Sequence, residues 1–167
     1  MSSHKSDLQY MNIIKEYINN EEFQKTNKIE HHGITRFEHS LKVSYYSYKV
    51  AKTLRLDYKE AAVGGLLHDF FITPEELSKK EKINSFFTHP KLALQTAEKQ
   101  FDLTVKEKDM IRSHMFPMNY SLPKYMESWI VTTVDKCVAI NEFSHKFKFK
   151  IKYAYNLLLL FAIGFIK

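Results

Sequence analysis

The chain has 167 residues, 25 Lys+Arg against 19 Asp+Glu, 44% apolar residues and only 4 Gly and 4 Pro. This profile suits one compact domain and excludes collagen-like, disordered and multidomain organisation. So few chain-breaking residues cannot serve the tight turns of a β-sandwich or barrel, which leaves an all-α fold of helices joined by short loops.

The single cysteine, Cys137, excludes a disulfide framework and a cysteine-rich zinc site. The polar start Met1-Ser2-Ser3-His4-Lys5 lacks the apolar core of a signal peptide, so a reducing, cytoplasmic setting is expected. The net charge of +6 suits an anionic partner, but Lys146, Lys148, Lys150 and Lys152 concentrate the excess in one stretch. A nucleic-acid partner is therefore not expected.

The elements follow in chain order. Leu8, Met11, Ile14, Tyr17 and Ile18 make one apolar stripe on a first helix, expected over 6–19. The segment Asn19–Gly33 is polar, and its His31 and His32 read as solvated loop residues. A capping box, Thr35 with Glu38, opens a second helix that reaches about Arg55 and carries Tyr45, Tyr46 and Tyr48 at core and surface positions.

Asp57 and Glu60 repeat the device ahead of Ala61-Ala62-Val63-Gly64-Gly65-Leu66-Leu67. That helix is apolar nearly all round and belongs at the centre, with two glycines allowing close approach. Thr73-Pro74-Glu75-Glu76 reads as a short helix start and Thr88-His89-Pro90 as another, running on to Phe101. Thr104 with Glu107 caps a helix expected to end near His114, before the loop Met115–Pro123. A last helix begins at Lys124 and carries Trp129, Ile130, Val134, Cys137 and Val138, with Cys137 expected to be buried and inert. The alternation from Lys146 to Lys152 has a period of two, although helix is the expected reading there.

Ionisable groups inside apolar runs carry the functional signal. Asp135 lies in the run Trp129–Ile140, and His68-Asp69 lies between Leu66-Leu67 and Phe70-Phe71. An unpartnered carboxylate in such a place would cost several kcal/mol, the rough scale for burying a bare charge. An ion pair with Arg36 or Lys136 would explain one such residue. The larger set of His39, His68, Asp69, His89, His114 and Asp135 points further, because helical folds build core metal sites from imidazoles and carboxylates that converge from facing helices. Nitrogen and oxygen ligands without thiolate point to Fe, Mn, Mg, Co or a catalytic Zn, and six ligands suffice for two ions.

The order Arg36-Phe37-Glu38-His39-Ser40, then Leu66-Leu67-His68-Asp69, then Asp135 on a late apolar helix resembles the HD-domain superfamily of metal-dependent phosphohydrolases. The resemblance covers about 35–142, leaving an N-terminal helix and a C-terminal apolar extension over 145–167. It implies a compact helical bundle with the metal site in its core, in which His39, His68, Asp69 and Asp135 are ligands. His89 and His114 fill the two further positions of the two-metal branches. Asp69 would then bridge the ions, with His39, His68 and Asp135 on one and His89 and His114 on the other.

The layout resembles the small bacterial HD hydrolases that cleave dinucleoside polyphosphates, and also a set of uncharacterised bacterial HD hydrolases with a similar His-Met-Pro loop. Phe70-Phe71-Ile72 stands where family members often carry a small residue and a lysine. The Gly-Tyr-Pro segment of the cyclic-dinucleotide branch is absent from the sequence.

By this resemblance the expected activity is hydrolysis of a phosphate ester or anhydride, with a nucleotide or dinucleoside polyphosphate as substrate. One or two divalent ions would activate water and clamp the attacked oxygens. His68 and Asp69 belong to the catalytic centre, Arg36 is the expected phosphate contact, and Lys136 is a weaker candidate. The rival reading is a helical module that binds a nucleotide or metal without turnover. The apolar segment Asn156–Ile166 is shorter than the roughly 20 residues that span a bilayer. It is expected to close the core or to join two copies of the chain, and contact with an anionic membrane surface is the less expected alternative.

Overall fold

The computed structural model describes residues 2–31, 34–72 and 79–144. Helix α1 (Ser2–Ile18) is followed by a single turn α2 (Glu21–Gln24) and a 3-10 turn (Lys25–Lys28). A two-residue antiparallel ladder comes next, β1 (Glu30–His31) with β2 (Ile34–Thr35), in the register Glu30 to Thr35 and His31 to Ile34. Four helices then follow: α3 (Arg36–Thr53), α4 (Tyr58–Leu67), α5 (Lys79–Gln100) and α6 (Val105–Ser113). A last helix, α7, covers 126–144. The all-α expectation holds, and the ladder is a local turn device that delivers the chain to α3.

The two expected capping boxes at Thr35/Glu38 and Thr104/Glu107 are both formed. The one at Asp57 is only half formed. Asp57 accepts from the Glu60 amide, but the Asp57 amide donates to Glu127 on α7 at 3.1 Å. A tertiary bond thus replaces the local one and ties the start of α4 to α7.

Thr88-His89-Pro90 does not begin a helix. Pro90 lies inside α5, which starts eleven residues earlier, and its ring removes one intrahelical hydrogen bond that the flanking turns tolerate. The short helix expected at Thr73, the lysine alternation and the segment 145–167 lie outside the described residues, as does His32. Cys137 is exposed rather than buried. It stands two residues beyond the inward-facing Asp135, about 200° around the helix, and so faces outward.

Helix α4 is central, as its composition requires. Ala62, Leu66 and Leu67 are fully buried, and the main core joins them to Ile14, Phe23, Tyr48, Phe70, Ala97 and Ile111. A second cluster of Val43, Met110, Val131 and Val138 ties α7 to α3 and α6.

The glycines set the spacing between α3, α4 and α6. A Cβ on Gly65 would stand 3.1 Å from the Cα and 3.2 Å from the amide nitrogen of Ser44, and one on Gly64 would come within 2.6–3.0 Å of the Met110 side chain. Ser44 completes the contact by donating its hydroxyl to the Ala62 carbonyl at 2.7 Å. Gly65→Ala should therefore destabilise the fold by about 1–3 kcal/mol, the usual range for overpacking. Urea unfolding measures this directly, and a variant as stable as wild type would contradict the close approach.

Candidate metal centre

Five helices meet at the buried end of α4, and each brings part of a His/Asp cluster. His39 comes from the first turn of α3, His68 and Asp69 from the end of α4, His89 from α5, His114 from the end of α6 and Asp135 from the middle of α7. All six are buried, His39 and His68 completely.

Two of the histidines repeat one local device. His68 is the C-cap of α4, and its Nδ1 donates to the Gly65 carbonyl at 2.8 Å. His114 is the C-cap of α6, and its Nδ1 donates to the Ile111 carbonyl, also at 2.8 Å. Each ring thus satisfies a carbonyl that the end of its helix leaves open. The same bond fixes the tautomer, so that in the neutral ring Nε2 is a lone pair.

The outer ring nitrogens converge on the aspartates. His68 Nε2 lies 3.5 Å from Asp135 Oδ1 and 4.0 Å from Asp69 Oδ2. It is buried without a hydrogen-bond partner. Nε2 of His89 and of His114 lie 3.3 and 3.6 Å from Asp69 Oδ1, and His89 Nε2 donates a 2.9 Å hydrogen bond to Nε2 of the neutral His114. His39 donates through Nε2 to Asp135 Oδ1 at 3.0 Å and through Nδ1 to Glu142 Oε2 at 2.9 Å.

The electrostatics follow from this packing. Burial pushes His114 down to about 3, helped by the neighbouring His68, so its imidazole is neutral. Burial also works against a charged His39, but its bonds to Asp135 and Glu142 outweigh that and hold it up at about 9. Asp135 is desolvated, yet its hydrogen bond from His39 keeps its carboxyl well below the usual range.

The donor set fits a divalent cation. His39, His68 and Asp135 offer ligand atoms all within 4.8 Å of one another, and so do His68, Asp69 and His114. Neutral imidazoles and carboxylates without thiolate suit first-row divalent ions. An unsatisfied, buried imidazole nitrogen is hard to explain otherwise, since a buried polar atom without a partner is costly.

Arg36 and Lys136 differ in placement. The Arg36 guanidinium lies 3.8 Å above the Phe71 ring and donates through Nη1 to the Phe71 carbonyl at 2.6 Å. Its Nε is buried and unpartnered. Burial lowers its pKa and the nearby Asp69 counters that shift. The other side of the site is closed by His89, stacked with Phe71 at 5.3 Å between centroids. Phe71 thus contacts both Arg36 and His89. Lys136 points to the carbonyls of His114 at 2.9 Å and Thr132 at 3.2 Å, and braces the end of α6.

Sequence reasoning missed Glu142 and Lys42 as site residues. Lys42 Nζ donates to Glu142 Oε1 at 3.0 Å, on the far side of the carboxylate from His39. The signal was spacing: Glu142 follows Asp135 by seven residues and Lys42 follows His39 by three, so each pair shares a helix face.

No helix among the described residues is long and apolar enough to cross a membrane. No curated protein and no solved structure matches the chain. The family model for the HD domain matches residues 36–140, well over half of the chain, and its span takes in His39, His68, Asp69, His89, His114 and Asp135. Given that match and the His/Asp groups able to hold an ion, the chain belongs to the HD domain family, whose members are generally metal-dependent phosphohydrolases.

Proposed function

We propose that the protein hydrolyses a phosphate ester or anhydride of a nucleotide or dinucleoside polyphosphate, with one or two divalent ions held by His39, His68, Asp69, His89, His114 and Asp135. The observation that carries this reading is His68 Nε2, a buried imidazole nitrogen without a hydrogen-bond partner, 4.0 Å from Asp69 and 3.5 Å from Asp135. A divalent cation supplies Lewis acidity there, activating water and neutralising phosphate charge. Candidate ions are Fe, Mn, Mg, Co and Zn.

The chain's own groups do the rest. Asp69 lies within 3.3–4.0 Å of three imidazole nitrogens, and this proximity supports reading it as a ligand shared between two ions. Arg36 is the cation placed to meet a substrate phosphate. Phe71 fixes its plane from below and its carbonyl holds one nitrogen, which leaves the remaining guanidinium donors for an anion. Lys136 positions His114 through the carbonyl it holds and is the weaker contact for substrate. The lone, exposed Cys137 suits a reducing, cytoplasmic setting.

His68 belongs to both ligand groups, so His68→Ala should remove bound metal and phosphatase activity together while far-UV circular dichroism stays helical. Elemental analysis of protein purified without chelators, paired with turnover of nucleotides and diadenosine polyphosphates, checks this. Full turnover and metal content in the variant would overturn the assignment. Metal binding by the wild type without turnover of any phosphorylated compound would leave a binding module.

Arg36→Ala should reduce kcat/KM by about 10- to 100-fold, the scale of a lost charge-assisted hydrogen bond, with metal content unchanged. Unaltered kinetics would remove Arg36 from the phosphate site.

A further inference from the structure

We infer that Glu142, braced by Lys42, is a positioning residue that orients His39 and strengthens it as a ligand. The inference rests on the metal-site reading above and adds to it a carboxylate outside the six proposed ligands. Its geometry is a hydrogen-bonded chain that crosses from α3 to α7 and back, exposed at its Lys42 end and buried at Glu142 and His39. The ammonium of Lys42 donates to Glu142 Oε1 at 3.0 Å, and His39 Nδ1 donates to Glu142 Oε2 at 2.9 Å. At the other edge of the ring, His39 Nε2 lies 3.0 Å from Asp135 Oδ1.

Both oxygens of Glu142 are thus engaged. The carboxylate side chain is 3% exposed and the Lys42 side chain 44% exposed. A buried carboxylate is costly to desolvate, and two donors offset that cost here while fixing its orientation. Neither donor leaves Glu142 free to bind an ion itself. Its place is behind His39, on the ring edge turned away from His68 and Asp69.

A carboxylate that accepts the Nδ1 proton of an imidazole leaves Nε2 as the ligating atom, prevents the ring from turning over and raises its basicity. His68 and His114 obtain the same tautomer from neutral backbone carbonyls. His39 alone of these three obtains it from a charged group, because it stands in the first turn of α3 rather than at a helix end, where an open carbonyl would lie three residues behind it. The Thr35 capping box occupies that start of α3, so the acceptor for His39 has to come from another helix, and α7 supplies it.

The test is a zinc competition titration of the full chain as wild type, Glu142→Gln, Glu142→Ala and Lys42→Met, with nitrogen-15 spectra of the imidazoles in the zinc-loaded protein. The expected result is a 10- to 100-fold weaker zinc affinity in Glu142→Ala, the range for a lost carboxylate behind a ligating histidine. The His39 Nδ1 proton signal should be lost or shifted upfield in that variant. Glu142→Gln keeps the volume but not the charge and should fall about tenfold. Lys42→Met should fall only a few-fold, since it leaves the bond to His39 in place.

Zinc affinity in Glu142→Gln equal to wild type, with the Nδ1 signal unmoved, overturns the inference while leaving the metal site standing. Should Glu142→Ala fail to fold, the Glu142→Gln and Lys42→Met titrations decide. No zinc binding by the wild type would instead bring down the metal-site reading and this inference with it.

Discussion

Two aspartates, Asp69 and Asp135, are buried at a point where five helices meet, and the need to compensate their charge shapes everything around them. Desolvating a carboxylate costs several kcal/mol even after the surroundings relax. His39 meets part of that cost for Asp135 as a donor at 3.0 Å, and Arg36 lies close enough to Asp69 to feel its field. The remaining imidazoles contribute in a different way. His68 and His114 have committed their Nδ1 protons to backbone carbonyls, so in their neutral forms they bring lone pairs rather than protons to the cluster. Lone pairs beside carboxylates repel unless a cation lies among them, and His68 Nε2 has no hydrogen-bond partner to relieve it, so this cluster could hold a metal ion.

The same logic explains why the site sits where helices end. An α-helix leaves its last carbonyls without partners, and a histidine at the C-cap satisfies one of them with Nδ1. Helix termination and ligand orientation are then one interaction. It is used twice, at Leu67/His68 and at Ser113/His114. Asp135 and Glu142 lie in the body of α7, where spacing by seven residues aims both at α3. A site assembled in this way depends on the packing of helices whose residues are far apart in sequence, and the HD domain match spans that whole interval.

Much of this was legible in the sequence because its signals are local. Capping boxes at Thr35 and Thr104 need only four residues, and both formed. The apolar, glycine-bearing run 61–67 announced a central helix. Histidines and aspartates inside apolar runs announced a buried polar cluster, since nothing else makes such placements affordable. Less legible were features set by tertiary contact. Glu142 looked like an ordinary polar residue at the end of an apolar helix, and only the α3–α7 contact gives it His39 and Lys42 as neighbours. Asp57 looked like a complete capping box until Glu127 took its amide. Thr88-His89-Pro90 has the composition of a helix start, but preceding residues already in helical conformation turned the same tripeptide into an interior segment. Cys137 was misjudged from its apolar neighbours, because a helix that buries Asp135 must turn the residue two places on towards solvent.

The packing around Gly65 connects the fold to the chemistry. Its missing side chain lets the backbone of α4 approach that of α3 at Ser44, with a would-be Cβ only 3.1 Å from the Ser44 Cα. His39 lies five residues before Ser44 on α3 and His68 three residues after Gly65 on α4, so in this antiparallel pair both rings lie on the same side of the close contact. Their centroids stand 5.4 Å apart, which brings Nε2 of each within reach of the same Asp135 oxygen. A side chain at Gly65 would act on this distance before it acted on any ligand. The spacing of a metal centre in a helical bundle is therefore a property of its smallest residues as much as of its ligands, and the ligands can converge only because α3 and α4 are allowed to touch.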